Sequence, residues 1–137
     1  MVFNLNYKLN TYDNRGRPYF FAHVIQVYNV LMAVTDDEAT LCAGLLHEIL
    51  EDTDTTYEEL VREFNKEIAD LVMELTFQGN KETGRYFPML HSHKAVIVKF
   101  ADRLSNLVRM VDWPGDWQQD YLRESCFWPT EPKKPTQ

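Results

Sequence analysis

Cysteine, glycine and basic residues are all scarce in this 137-residue chain. Two cysteines, Cys42 and Cys126, cannot form the disulfide framework that staples small secreted domains. Lysine and arginine together number 14 against 21 acidic residues, giving a formal net charge of −7. That balance argues against a protein that tracks a nucleic-acid backbone, which needs a basic face. No apolar run approaches bilayer length, and no charged-then-apolar leader opens the chain. A soluble, reducing, cytoplasmic setting without membrane or nucleic-acid partners is therefore expected. No internal repeat is visible. The length suits one domain with one buried core, expected over residues 1–128. Residues 129–137, with prolines and lysines but little to bury, are expected to form a disordered tail.

What the chain does have is helical periodicity. Asp13 to Pro18 is loop chemistry, with Asn14, Gly16 and Pro18 close together. From Tyr19 a helix is expected, with Phe20, Val24, Val27, Tyr28, Leu31 and Met32 apolar and His23 among them. A second helix starts with Thr35 as N-cap and Glu38 three residues on, a capping box. It runs through Ala39, Cys42, Ala43, Leu46, Ile49 and Leu50 on one face. Thr55 with Glu58, or Thr56 with Glu59, offers a cap for a third helix carrying Leu60, Val61 and Phe64. Ile68, Leu71, Val72 and Leu75 mark a fourth. Gln78 to Gly84 reads as a polar loop, Tyr86 to Leu90 as a short helical turn, and His91 and His93 as surface residues before a helix. That long helix, about Lys94 to Val111, has Ala101, Leu104, Val108 and Val111 as its core stripe. Trp113 to Asp116 stops it, and a last helix turns Trp117, Tyr121 and Leu122 inward. No stretch alternates like a strand, so the fold class is all-α.

Chemistry concentrates in two stretches. Leu45-Leu46-His47-Glu48-Ile49-Leu50-Glu51-Asp52-Thr53 puts one imidazole and three carboxylates at a helix C-terminus. That end already carries partial negative charge and favours cations. His47 and Glu51 lie four apart, as do Glu48 and Asp52, in two adjacent rows. Either water or a divalent cation can relieve the repulsion. Direct succession to an apolar segment, with a histidine included, favours the cation. The second stretch is Val98-Lys99-Phe100-Ala101-Asp102-Arg103-Leu104-Ser105-Asn106-Leu107. Lys99, Asp102 and Asn106 share a helix face, either as an ordinary surface ion pair or as a carboxylate ligand beside a phosphate-gripping lysine and an amide.

Taken in order, His23, His47-Glu48, Glu51-Asp52-Thr53 and Asp102-Arg103-x-x-Asn106 resemble the HD superfamily of metal-dependent phosphohydrolases. More narrowly they resemble the hydrolase domain of the RelA/SpoT family and its small stand-alone alarmone hydrolases, over about Arg15 to Val111. The resemblance implies a compact HD-domain helical bundle and one Mn²⁺ held by His23, His47, Glu48 and Asp102. It implies Glu51 and Asp52 as the residues that position or deprotonate the attacking water. Lys99, Arg103 and Asn106 would line the nucleotide side, with Arg15 or Arg17 at the base or its phosphates. The implied reaction removes the 3′-pyrophosphate from ppGpp or pppGpp, with a small-molecule nucleotide as the partner. Other readings are an HD phosphohydrolase for another nucleotide and a non-catalytic binding module.

Three features depart from the family pattern. Glu48 stands where the family has Asp, three residues rather than two separate Tyr19 from His23, and the chain is shorter than the usual domain. Both histidines must be neutral to ligate, so activity is expected to fall below about pH 6.5, the unperturbed histidine value. Three Trp, seven Tyr and eight Phe either fill the core or leave an apolar patch for a homo-oligomer.

Overall fold

The computed structural model describes residues 16–18, 20–78, 87–88 and 90–124. A π-helical turn, Phe20–Val24, runs directly into α1, Ile25–Met32. Then come α2, Glu38–Leu46, a short α3, Ile49–Asp52, α4, Tyr57–Glu63, and α5, Lys66–Leu75. The two-residue strands β1, Phe77–Gln78, and β2, Phe87–Pro88, pair antiparallel, with Phe77 opposite Pro88. The long α6, His93–Arg109, passes through a 3₁₀ turn, Met110–Asp112, to α7, Gly115–Glu124. Among the described residues this ladder is the one two-stranded sheet in an otherwise helical domain, and β2 replaces the expected helical turn around Phe87 and Pro88.

Side-chain caps set most helix starts. Asp37, not Thr35, caps α2: its carboxylate accepts from the Thr40 N–H at 3.0 Å and the Thr40 hydroxyl at 2.7 Å. Thr35 acts one step earlier, its hydroxyl accepting from the Asp37 N–H at 3.1 Å, so the start moves two residues along. Thr56 caps α4, Asn65 caps α5 and Ser92 caps α6, each accepting from a backbone N–H. Glu74 on α5 accepts from the backbone N–H groups of His91 and Ser92, which ties the end of one helix pair to the start of α6. Lys94 bridges Asp37 and Glu67 there.

The core lies among α1, α2, α5 and α6. Leu31, Leu46, Ile49 and Leu60 are its largest fully buried aliphatics. Gly44 brings α2 onto α1: a Cβ there would lie 2.4 Å from the Leu31 Cδ1 atom. Leu31 is itself fully buried, so its methyl has no room to retreat. Gly44→Ala is expected to destabilise the fold by about 1–3 kcal/mol, the usual range for overpacking. Chemical denaturation measures it, and an unchanged midpoint would show that the α1–α2 contact is slack.

The buried face of α6 keeps only Ala101 of the expected stripe. Ala95, Val98, Ala101, Asp102, Ser105 and Arg109 turn inward, whereas Leu104, Val108 and Val111 are 47%, 60% and 73% exposed. Polar groups took the inner positions because they face the site described next. Apolar periodicity alone put the helix one face out of phase. Trp117 and Leu122 on α7 are likewise exposed, as is Met32 at the end of α1. No described helix is long and apolar enough to cross a membrane. The expected tail falls outside the described residues.

Candidate metal centre

The expected single helix through His47 is broken. α2 ends at Leu46, Glu48 takes φ −109° and ψ 1°, and α3 begins at Ile49. The break turns His47 and Glu48 together towards the domain interior. Thr53 closes the short α3 by donating to the Ile49 carbonyl at 2.6 Å. On the facing side, the π-helical turn carries His23. Such insertions often mark functional positions because they re-aim a side chain without ending the helix. Asp102 arrives from the middle of α6.

These four side chains converge. One donor atom each from His23, His47, Glu48 and Asp102 lies within 4.8 Å of the others. The two histidine Nε2 atoms are 3.4 Å apart. Asp102 Oδ1 is 2.9 Å from His23 Nε2 and 3.2 Å from His47 Nε2. Glu48 Oε1 is 3.4 Å from each. The longer glutamate arm therefore reaches the cluster that the family's shorter aspartate would serve.

The outer hydrogen bonds say which atoms face inward. His47 Nδ1 donates to the Gly44 carbonyl at 2.7 Å, an acceptor with no proton of its own. His23 Nδ1 lies 3.0 Å from Ser105 Oγ, whose hydroxyl donates to Gln26 Oε1 at 2.9 Å. The serine proton is thus spent on Gln26, and its oxygen accepts from His23. Both rings carry their proton on Nδ1, so both Nε2 positions point into the cluster. Two imidazole lone pairs and two carboxylates cannot sit this close without a positive charge among them. A divalent cation or a proton satisfies them, and the nitrogen–oxygen donor set suits a borderline or hard divalent ion. The residues fit a metal ion.

The electrostatics carry the same message. Burial disfavours a charged His47, but hydrogen bonds to Asp102 and Glu48 outweigh it and push its pKa up to about 10. Burial would raise Asp102, yet the Lys99 charge and the two histidines hold it well below the usual carboxylate range. Glu48 is lowered for like reasons, its burial overcome by His47 and His23. Without a cation, the cluster holds a proton in its place.

Beside the cluster, partial burial and then the charges of Glu48 and Glu51 lift Asp52 to about 6. Glu51 and Asp52 share α3 and are exposed. Lys99 is buried, with Nζ 3.1 Å from Asp102 Oδ2. It is no surface pair: it holds the carboxylate oxygen that the histidines leave over. Arg103 is buried with its guanidinium 4.6 Å from the Tyr121 ring centre. Asn106 donates to Tyr121 Oη at 3.0 Å and accepts from Arg109 at 2.5 Å. Tyr121 packs edge-on against Trp113, and burial pushes its phenol up to about 12. Arg17 is exposed and lies 3.9 Å from Asp112, at the far end of α6 from its start. Arg15 lies outside the described residues.

Reading by sequence missed Gly44, Ser105, Gln26, Tyr121 and Arg109. Ser105 carried a signal, standing three residues after Asp102 on the same helix face. Gly44 similarly precedes His47 by one turn. Gln26 carried none.

Comparison with known proteins agrees with this architecture. A family profile described as HD domain matches residues 5–126. The guanosine-3′,5′-bis(diphosphate) 3′-pyrophosphohydrolase of Borreliella burgdorferi is 32% identical over 85% of this chain and 19% of its own length. The enzyme of the same name from Drosophila melanogaster is 33% identical over 85% of this chain and 69% of its own. The chain thus spans about a fifth of the bacterial relative and over two thirds of the insect one. A solved structure, described as a metazoan ortholog of SpoT that hydrolyzes ppGpp and plays a role in starvation responses, shares the fold. Its TM-score is 0.71 at 24% identity, covering 90% of this chain and 78% of that one.

Proposed function

The chain belongs to the HD-domain family, and on that premise we propose that it removes the 3′-pyrophosphate of ppGpp or pppGpp, releasing GDP or GTP and pyrophosphate. The observation that carries the proposal is the inward convergence of His23, His47, Glu48 and Asp102, with an elevated carboxylate, Asp52, at its edge. Relatives named for this reaction supply the substrate class. These four side chains would hold one Mn²⁺. The bound ion would supply Lewis acidity towards a water molecule and charge neutralisation for the pyrophosphate.

The protein's own groups do the rest. Asp52, with Glu51 beside it, takes the proton of the attacking water, and a carboxylate near pKa 6 is well matched to that task at neutral pH. The water oxygen bonds to the phosphorus attached to the 3′ oxygen, and the bond from that phosphorus to the 3′ oxygen breaks. The 3′ oxygen leaves as a hydroxyl, its proton drawn from solvent, and Asp52 returns the proton it took to solvent. Lys99 keeps Asp102 ionised and aimed at the cluster. Arg103, Asn106 and the Tyr121 ring form a cationic, hydrogen-bonding and aromatic wall suited to a nucleotide. Arg15 or Arg17 would approach the base or its phosphates.

A nucleotide panel tests the substrate. Mn²⁺-reloaded protein is expected to convert ppGpp and pppGpp to GDP and GTP with equimolar pyrophosphate, and to leave GTP and ATP intact. Turnover of another nucleotide with ppGpp untouched would transfer the same chemistry to that substrate.

A further inference from the structure

Ser105 is buried in the middle of α6, one turn from Asp102, and faces His23 rather than the cluster. Its oxygen lies 3.0 Å from His23 Nδ1 and 2.9 Å from Gln26 Oε1. Gln26 sits on α1, three residues from His23, and its side chain is exposed. The three groups form a chain that runs from solvent to His23 Nδ1, on the side of the ring opposite the cluster.

The two histidines are held differently. His47 Nδ1 faces the Gly44 carbonyl, which can only accept, so its tautomer is fixed by the backbone. A serine hydroxyl can donate or accept. If it donated to His23 Nδ1, the ring proton would move to Nε2 and point into the cluster, where a cation would need the lone pair. An acceptor on the far side of Ser105 opposes this, and Gln26 Oε1 takes that place in the structure. We propose that Ser105 and Gln26 are positioning residues that lock His23 in its metal-ligating tautomer, with Gln26 setting the direction in which Ser105 donates.

This inference rests on the metal reading of the cluster, and the test separates the two. Mn²⁺ binding is measured without nucleotide, by the electron paramagnetic resonance signal of the free ion, on wild type, Ser105→Ala, Gln26→Met and the double variant. Ser105 is small and Gln26 exposed, so all four are expected to fold, and thermal melts check this. Ser105→Ala is expected to weaken Mn²⁺ affinity by about 10–100-fold, the usual effect of losing an outer partner of a ligating histidine. Gln26→Met is expected to weaken it by a smaller factor. The decisive result is coupling: in the Ser105→Ala background, Gln26→Met has no further effect, because the group it acts through is gone. Ser105→Thr keeps the hydroxyl and is expected to restore most of the affinity.

Ser105→Ala within twofold of wild type would overturn the inference, as would Gln26→Met acting equally in both backgrounds. Wild-type protein that takes up no Mn²⁺ would overturn the metal reading itself, and this inference with it.

Discussion

Replacing Glu51 by Gln and Asp52 by Asn together is expected to cut GDP formation from ppGpp by about a thousandfold, within the 10²–10⁴ range for loss of a general base. Mn²⁺ uptake should survive, because neither residue is among the four converging side chains. Asp52 should account for most of the loss. Its pKa, lifted to about 6 by partial burial and then by the charges of Glu48 and Glu51, makes it the better acceptor near neutrality. The sign of the pH dependence follows. A base works only when deprotonated, so the rate should fall about tenfold per pH unit once pH drops below its pKa. Neutralising Glu48 with a cation lowers Asp52, which places the acid limb of the loaded protein at or below pH 6. Rate profiles of wild type and Asp52→Asn check this. A limb that persists unchanged in the variant would assign the titration elsewhere.

The second large effect concerns the cation itself. A proton and a divalent ion compete for the same lone pairs between His23 and His47. With His47 raised to about 10 in the metal-free protein, binding at neutral pH must expel a proton. Mn²⁺ affinity is therefore expected to rise about tenfold per pH unit between pH 7 and 9, with one proton released per ion bound. Calorimetry in buffers of different ionisation enthalpy measures both quantities. Flat affinity across that interval would contradict ligation through His47. The same linkage governs stability without metal. A histidine pKa raised on folding contributes stability that is complete below its unfolded value of about 6.5 and is lost as pH climbs towards 10. The lowered Asp102 contributes above its unfolded value and loses that contribution on acidification. The melting temperature of metal-free protein should accordingly fall from pH 6.5 to pH 10, while loaded protein resists the change.

This competition also corrects an expectation drawn from residue types. An unperturbed histidine suggested that protonation would matter only below about pH 6.5. Two carboxylates packed against a buried ring move the titration of His47 far higher, and no spacing rule discloses that a ring has carboxylates on its open side.

Other features divide along similar physical lines. The helical class, the capped start of α4 and the buried face of α5 were legible because they depend on local chemistry and one apolar stripe. His23, His47, Glu48 and Asp102 could be nominated as one set only through the family resemblance, and the fold brings them together from three separate segments. The break between α2 and α3 was not legible. Apolar residues continue in helical register across His47 and Glu48, so periodicity alone sees one helix. α6 misled for the opposite reason. Asp102, Ser105 and Arg109 are polar by type but buried by role, and a reading that sends polar residues outward turns the helix the wrong way. Lys99 shows the same inversion, being the buried counter-charge of Asp102. Gln26 stands three residues from His23, but an exposed glutamine looks like any other until the serine it faces is known.

The most direct measurement is a back-titration. Protein stripped of metal is mixed with ppGpp, and GDP and pyrophosphate are followed as Mn²⁺ is added. The account predicts no product before addition, then equimolar GDP and pyrophosphate, saturating at one bound ion per chain. GDP formation from thoroughly stripped protein, or full loading of one ion per chain without any GDP, would contradict it.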